Sequence, residues 1–150
     1  MTTPESEWTL VATPRKSRRY AIGVAVLLVV VHVTFAILLR GDSTGVYFRL
    51  ADQLAFAGIG CLLAAAVLLL TRPRLRVGPN GIAVRNVLGE RIVDWDLYEG
   101  LSFPDGAAWA RIELPDDEYL AVMAIQSNDR EYAVDAVDRF RALASEYAPS

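Results

Sequence analysis

The sequence predicts an α+β protein with a membrane anchor, in which a two-helix transmembrane hairpin precedes an antiparallel β-barrel or strongly bent sheet closed by a C-terminal amphipathic helix. Three observations predict this class. Two long uncharged apolar runs lie in the first half of the 150-residue chain. Polar and apolar residues alternate after residue 72, which is typical of strands with one buried face. A helical apolar period follows near the C-terminus.

The two apolar runs cover residues 20–39 and 53–70 and contain no charged side chain. A helix of about 20 apolar residues crosses the ~30 Å of hydrocarbon in a bilayer. A helix of a soluble protein is seldom apolar on every face over that length. A cleaved signal peptide fits less well, because its apolar core is shorter and a second run would not follow it.

Positive charge flanks the pair of runs on its two outer sides. The short connecting segment, residues 40–52, has two arginines beside two aspartates. The positive-inside rule therefore predicts a multi-pass protein of the plasma (inner) membrane with both termini in the cytoplasm. The flanking cations are candidate contacts with anionic headgroups, each worth about 1 kcal/mol. They are Arg15, Lys16, Arg18, Arg19, Arg72, Arg74 and Arg76.

Within the runs, small residues and one histidine are the features of interest. Small residues spaced by four would let the two helices pack closely, and the second run offers two such sets. These are Ala57, Cys61 and Ala65, or Gly60 and Ala64. His32 lies near the middle of the first run, where an ionisable group serves either a proton pathway or ordinary hydrogen bonding and packing.

The segment from residue 72 reads as six short strands and one helix. Pro79-Asn80-Gly81 and Pro104-Asp105-Gly106 are turn signals. The strands are predicted at about residues 74–77, 82–85, 91–95, 97–103, 107–114 and 119–126. Ser127-Asn128-Asp129 offers a cap for the helix, whose apolar stripe is Ala133, Val137, Phe140, Leu143 and Tyr147. Several antiparallel strands closed by one amphipathic helix make a PH-like barrel or bent sheet.

These assignments divide the chain into three parts. Residues 1–19 are predicted to be a disordered basic tail, residues 20–70 the transmembrane hairpin, and residues 72–147 the cytoplasmic domain. The first half of the chain, to residue 70, has a net charge of +2, and the rest has −5. A basic membrane-adjacent half and an acidic domain favour a membrane protein over a nucleic-acid-binding protein.

The order of segments also resembles a known family. After the two spans come Arg-Pro-Arg-Leu at 72–75, Gly-Ile-Ala-Val-Arg-Asn at 81–86, Val-Asp-Trp-Asp at 93–96, Phe-Pro at 103–104 and Trp-Ala-Arg at 109–111. This order is similar to that of the membrane-anchored bacterial PH-domain proteins of actinobacteria, the family named for low-molecular-weight antigen 6. The resemblance covers about residues 20–147 and implies a PH-like fold. It supplies no catalytic or ligand-binding residues.

The residues offer little for catalysis. A single histidine and a single cysteine, both in apolar runs, exclude a Cys/His metal cluster and a Ser-His-Asp or Cys-His arrangement. No glycine-rich phosphate loop occurs, and the first hairpin loop, residues 78–81, carries no charge for a phosphoinositide. We therefore expect neither an enzyme nor a cofactor, and no small-molecule substrate.

The most informative side chain is Trp109. In its strand, Ala108, Ala110, Ile112 and Leu114 share one face, whereas Trp109, Arg111 and Glu113 share the other. A Trp beside an Arg is typical of protein interfaces, although sheet curvature or the C-terminal helix would also cover it. Tyr98 and Trp95 are weaker candidates for the same role.

The sequence leaves three classes of function open. The first hypothesis is a membrane-anchored scaffold that binds a protein partner. The alternative is a lipid-sensing or membrane-organising protein that contacts anionic headgroups directly. An accessory subunit of a transporter is a third class, which needs polar groups lining a path through the membrane.

Overall fold

The computed structural model describes residues 8–39 and 49–149. The chain forms two compact units. Within the described residues, unit 1 consists of residues 8–16 and 72–149, and unit 2 of residues 17–39 and 49–71. Unit 1 contains two antiparallel sheets and one helix, and unit 2 is helical.

Unit 2 contains most of α1 (Arg15–Leu38) and α2 (Leu50–Leu68), which a single 3-10 turn extends to Thr71. Both helices are long and apolar enough to cross a membrane. Their large side chains are largely exposed, for example Leu27 at 60% and Leu62 at 74%. The core helix of a soluble protein would bury such side chains. The first helix begins at Arg15, five residues before the predicted start.

The two helices of unit 2 pack through a glycine. Gly60 is buried, and a Cβ atom added to it would lie 2.4 Å from the Cβ of His32. The His32 ring lies 5.0 Å from that of Phe56, and its Nδ1 is 2.8 Å from the carbonyl oxygen of Leu28 in its own helix. Of the two sets of small residues, Gly60 and Ala64 are the buried set. His32 therefore has a packing role.

Unit 1 is built from seven strands and a helix. The first sheet has the order β1 (Leu10–Ala12), β2 (Arg74–Gly78), β3 (Gly81–Arg85) and β4 (Glu90–Val93). The second has the order β5 (Gly100–Ser102), β6 (Trp109–Glu113) and β7 (Tyr119–Gln126). The helix α3 covers Glu131–Tyr147. Every strand pair is antiparallel, as the alternating sequence pattern predicts.

The first strand overturns one prediction. Residues 1–19 were expected to be disordered, yet Leu10 pairs with Val77 and Ala12 with Leu75. Leu10 and Ala12 are buried, and Pro14 is fully buried. Without β1, the outer edge of β2 would present unpaired backbone N–H and C=O groups, and β1 pairs with that edge. The domain is therefore discontinuous, because both apolar helices are inserted between β1 and β2. Residues 1–7 lie outside the described residues.

The β2–β3 turn matches its sequence signal. Gly78 pairs with Gly81, so Pro79 and Asn80 form a two-residue loop. Gly81 has a φ of +132°, and an added Cβ would lie 2.7 Å from the carbonyl oxygen of Val93. A side chain at this position would be both strained and obstructed, which explains the glycine.

The core lies between the two sheets and α3. Phe140 is fully buried, and its ring is 6.3 Å from that of Trp95 and 5.6 Å from that of Tyr98. The predicted apolar stripe of the helix is confirmed for Ala133, Val137 and Phe140, which are buried. Leu143 and Tyr147 are partly buried against the same core.

The two sheets meet at Asn86, immediately after β3. Its Nδ2 donates to the carbonyl oxygen of Ala121 at 2.8 Å, and its Oδ1 accepts from the backbone N–H of Met123 at 3.2 Å. Among the described strands, no ladder joins the sheets into one. The arrangement is thus two contacting sheets, and the side chain of Asn86 bridges them.

The pairing of β1 with unit 1 predicts an asymmetry between two neighbouring residues. Leu10→Ala is expected to lower the free energy of unfolding of unit 1 by about 2 kcal/mol or more, because it leaves a cavity in the core. Val11, which is 44% exposed, is the matched control. Val11→Ala is expected to change the free energy of unfolding of unit 1 by no more than about 0.5 kcal/mol. All three tryptophans belong to unit 1, so Trp fluorescence of the full chain in detergent reports its unfolding. Equal effects of the two changes would contradict the packing of β1.

Candidate interaction site

The outer face of the second sheet carries the aromatic and cationic side chains predicted for a partner. Along β6, Ala110 and Ile112 are fully buried, whereas Trp109, Arg111 and Glu113 are half-buried on the opposite face. The guanidinium of Arg111 lies 4.4 Å from the centroid of the Tyr119 ring in the adjacent strand β7. We call Trp109, Arg111 and Tyr119 the aromatic–arginine face.

The edge of this face is polar. Ser102 of β5 pairs with Arg111 across the ladder, and its hydroxyl is hydrogen-bonded to the carboxylate of Glu113. Tyr119 is 55% exposed, so a contacting molecule would meet its ring directly. Aromatic rings and an arginine beside polar side chains have the composition of a protein-binding surface.

Trp95 is wrong as a candidate surface residue. Its side chain is 7% exposed, and its Nε1–H donates to the carbonyl oxygen of Gly78 at 2.9 Å. Its ring lies 5.6 Å from Tyr98 and 5.9 Å from Tyr147. A 3-10 turn over Trp95–Leu97 takes the place of the end of the predicted third strand and the start of the predicted fourth, and Trp95 turns inward there. The indole N–H of Trp95 therefore has its hydrogen-bond acceptor inside the core.

Tyr98 follows the 3-10 turn, outside the strands that carry the aromatic–arginine face, and is half-buried against this aromatic cluster. Burial raises the pKa of its phenol above the ordinary 10.0. The nearby charge of Arg141 and a backbone hydrogen bond at Leu101 act in the opposite direction. The phenol of Tyr98 therefore belongs to the edge of the core.

The cationic residues predicted to face headgroups have several different surroundings. Arg76 forms an ion pair with Glu90, and its guanidinium lies 5.0 Å from the Trp8 ring centroid. Arg74 is half-buried. Arg18 and Arg19 of unit 2 and Arg72 of unit 1 are exposed. Part of the predicted cationic surface is thus used in contacts within unit 1.

Arg15 and Lys16 belong to a polar junction that the sequence did not reveal. The Asp129 carboxylate, 6% exposed, accepts from the backbone N–H groups of Arg15 at 3.0 Å and Lys16 at 2.9 Å. These are orphan donors at the start of α1, where a carboxylate also complements the helix dipole. The segment Ser127-Asn128-Asp129 was predicted to cap α3, but Arg130 precedes that helix without a side-chain cap, and the Asp129 carboxylate caps α1.

Further contacts strengthen this junction within unit 1. The Tyr132 hydroxyl accepts from the backbone N–H of Thr13 at 3.3 Å, and the Arg15 guanidinium lies 3.9 Å from the Tyr132 ring centroid. Lys16 Nζ donates to the carbonyl oxygen of Asn128 at 2.6 Å. We call the residues Thr13–Lys16 and Asn128–Tyr132 the α1 junction. An Asp and a Tyr more than 100 positions away give no local signal for such a cap.

An open cavity of about 540 Å³ adjoins the α1 junction. Three cations and three carboxylates line it, together with Tyr132. The charges are Arg15, Lys16, Arg130, Asp129, Glu131 and Asp135. Across residues 8–39 and 49–149, the structure contains no group of three or more His, Cys, Asp or Glu residues that would hold a metal ion. The cavity is therefore a mixed-charge surface rather than a metal centre.

The α1 junction predicts a specific effect of removing its carboxylate. Asp129→Ala is expected to lower the free energy of unfolding of unit 1 by about 1–2 kcal/mol, because two backbone donors lose their acceptor. Hydrogen exchange at the amides of Arg15 and Lys16 is expected to quicken. Asp138→Ala, on the exposed side of α3, is the control. Unchanged exchange in the Asp129 variant would contradict the capping role.

Tyr98 predicts a dependence on alkaline pH. Its raised pKa means that the folded protein holds the phenolic proton more tightly than the unfolded chain. Its contribution to stability is complete below pH 10.0 and is lost as the pH rises through the folded pKa. Tyr98→Phe is expected to reduce this alkaline loss, measured as the Trp-fluorescence melting temperature against pH. Tyr119→Phe, at an exposed position, is expected to leave the loss in place.

Comparison with known proteins identifies the family of the domain that carries this site. Residues 72–143 match the family described as bacterial PH domain. Proteins of Mycobacterium tuberculosis and Mycobacterium bovis, each described only as uncharacterized, are 49% identical over 149 residues. The match covers 99% of this chain and 97% of each relative. No solved structure matches.

Proposed function

This chain belongs to the bacterial PH-domain family, and from that membership we propose that it is a membrane-anchored scaffold that binds a protein partner at the cytoplasmic face of the inner membrane. Membership in this family indicates a binding or scaffold module. The observation that carries the choice of a protein partner is the aromatic–arginine face.

The aromatic–arginine face suits a protein surface better than a lipid headgroup. Trp, Tyr and Arg are the side chains that most often carry binding energy between proteins. The Arg111 guanidinium is stacked on Tyr119 at 4.4 Å, so its planar donors are oriented before a partner arrives. The Glu113 carboxylate beside it would repel an anionic headgroup.

The membrane anchor is inferred from unit 2. Its exposed leucines, such as Leu27 and Leu62, would be stable in hydrocarbon and costly in water. By the positive-inside rule, the cationic flanks of the helices support a cytoplasmic location for both termini. Unit 1 would then lie at the inner leaflet.

An alternative is direct contact with anionic lipids. The exposed Arg18, Arg19 and Arg72 favour it, since each would attract a negatively charged surface. The engagement of Arg76 by Glu90 and of Lys16 by Asn128 weakens it. A transporter subunit has less support still, because His32 is engaged within its own helix.

The test is photocrosslinking in intact membranes. An aromatic photocrosslinking amino acid replaces Trp109 in the full chain, which keeps a ring at that position. We expect one discrete protein adduct, identified by mass spectrometry. Val134, 61% exposed on α3, is the control position and is expected to give none.

A second change establishes that the adduct reports binding. Arg111→Ala, introduced with the crosslinker at position 109, is expected to lower the adduct yield strongly, because truncating an Arg at the centre of binding costs about 2 kcal/mol or more. Adducts to lipid alone would move support to the alternative. Absence of any adduct would exclude the aromatic–arginine face as the binding surface.

A further inference from the structure

The described strands of unit 1 have four sheet edges, which are covered unequally. The edges are β1 and β4 in the first sheet, and β5 and β7 in the second. An edge strand presents unpaired backbone N–H and C=O groups, which invite pairing with another chain unless something covers them. Three of the edges receive a hydrogen-bonding side chain from elsewhere in unit 1. The covering side chains and their backbone partners are Asn86 with Ala121 and Met123 of β7, Arg141 with Leu101 of β5, and Tyr132 with Thr13 immediately after β1.

The edge of β4 has no such cover, and the register shows which of its backbone groups face outward. The Asn86 N–H donates to the carbonyl oxygen of Gly89 at 2.8 Å, which makes these two a hydrogen-bonded pair. In an antiparallel ladder such pairs alternate with pairs that are not hydrogen-bonded. The N–H and C=O groups of Glu90 and Ile92 therefore point away from β3. Within the part of the chain that the structure describes, no other element hydrogen-bonds to these groups.

The side chains of this strand are unusually exposed. The first three residues of β4, Glu90–Ile92, are exposed, which is true of no other described strand. Ile92 is 60% exposed, Leu88 just before the strand 93%, and Leu97 just after it 46%. These are three of the six large apolar side chains that are exposed in the described part of unit 1. Apolar side chains thus accumulate at the one edge where the backbone is open.

The two charged side chains of β4 are drawn toward the domain. Charged residues often block an edge strand by projecting from it. Glu90 instead forms an ion pair with Arg76 of β2, across the outer face of the first sheet. Arg91 lies 4.0 Å from Glu118 in the turn between β6 and β7. An approaching strand would therefore meet the backbone and Ile92 first.

The two ends of the β4 edge differ in charge. Asp94 and Asp96, which follow the strand, are exposed, and neither forms an ion pair with a described residue. At the other end, the cations Arg74 and Arg85 lie in one cross-strand row with Glu90. A basic side chain on an added strand is thus favoured at the Asp94 end, where carboxylates have no counterion.

A second copy of this chain does not suit the edge. Symmetric dimers pair a strand with itself in antiparallel orientation. Pairing centred on Ile92 would place Glu90 opposite Asp94 of the other copy, and pairing centred on Arg91 would place two arginines opposite each other. Like charges directly opposite one another destabilise a sheet. A lipid has no row of donors and acceptors that would match the backbone, whereas an extended segment of another protein has one.

We propose that the open edge of β4 accepts an extended segment of a protein partner as an added strand of the first sheet. Main-chain hydrogen bonds to Glu90 and Ile92 would supply affinity, and alternate side chains would supply specificity. Because side chains alternate along a strand, Asp94 continues the face of Ile92. The partner segment therefore carries an aliphatic side chain beside Ile92 and a basic one two residues away, beside Asp94. This inference goes beyond the proposed function and does not depend on the aromatic–arginine face, which belongs to the second sheet.

The experiment measures amide hydrogen exchange by NMR in the full chain in detergent micelles. The probes are the capped peptide Thr-Thr-Lys-Thr-Val-Thr-Thr, which fits an antiparallel strand, and the same peptide in reverse order, which fits a parallel one. One control peptide has Glu in place of Lys, and another carries a methyl group on the backbone nitrogen of Val. The amides of Arg91 and Val93, which bond to β3, are the internal reference. Asp94→Asn removes the carboxylate from the protein side.

We expect one of the two probes to slow exchange at Glu90 and Ile92 several-fold, with no change at Arg91 and Val93, because only the outward amides gain a partner. The methylated peptide is expected to have no effect. The Glu peptide is expected to bind more weakly than the Lys peptide, and Asp94→Asn is expected to reduce that difference.

Three results would overturn the proposal. The first is slow exchange at Glu90 and Ile92 without any peptide at low protein concentration, which means that the edge is already covered. The second is exchange that slows as the concentration of the chain alone is raised, which identifies the occupant as a second copy. The third is unchanged exchange with both probes at millimolar concentration.

Discussion

The pairing of β1 with β2 is the contact on which the rest of the structure depends. It joins two segments that the sequence separates by both apolar helices. Closing a long loop costs conformational entropy that grows slowly with its length. Here the inserted segment is a helical hairpin with its own glycine contact, at Gly60 and His32, so its two ends are already near each other. The insertion is therefore compatible with a stable domain.

The α1 junction follows from the same constraint. Where β1 ends, the backbone must pass from strand to helix within Thr13 and Pro14. The first N–H groups of α1 then lack partners, and the Asp129 carboxylate accepts two of them. A buried carboxylate is costly unless it is hydrogen-bonded, so the helix start and Asp129 satisfy each other.

Local patterns in the sequence were sufficient for most elements of unit 1. The alternation around Ala110 and Ile112 predicted the inner and outer faces of β6 correctly, and residues 79–81 predicted the β2–β3 turn. Both signals depend only on neighbours in the chain. The fold class was predicted at the level of helices and antiparallel sheets, while the two separate sheets were not distinguished from a closed barrel.

Features that depend on distant residues could not be predicted in this way. The strand β1 has three residues, too few to show a period, and its partner lies beyond two helices. Asp129 has the sequence context of a cap for the helix that follows it, yet it binds donors from the start of the chain. Trp95 and Trp109 are similar in sequence context, and only the 3-10 turn at Trp95 separates a core residue from a surface residue.

The distribution of charge links these observations to function. In a domain that is acidic overall, Arg15, Arg76 and Arg111 each lie against an aromatic ring, at 3.9, 5.0 and 4.4 Å from its centroid. An Arg held over a ring keeps its stem packed and its guanidinium fixed. Two of these pairs strengthen the α1 junction and the first sheet within unit 1. The third, at Arg111 and Tyr119, lies on the outer face of the second sheet, where no described element of unit 1 requires it for support. A preformed cation–aromatic pair at that position is consistent with recognition rather than stability, which is why the proposed partner surface is placed on the second sheet.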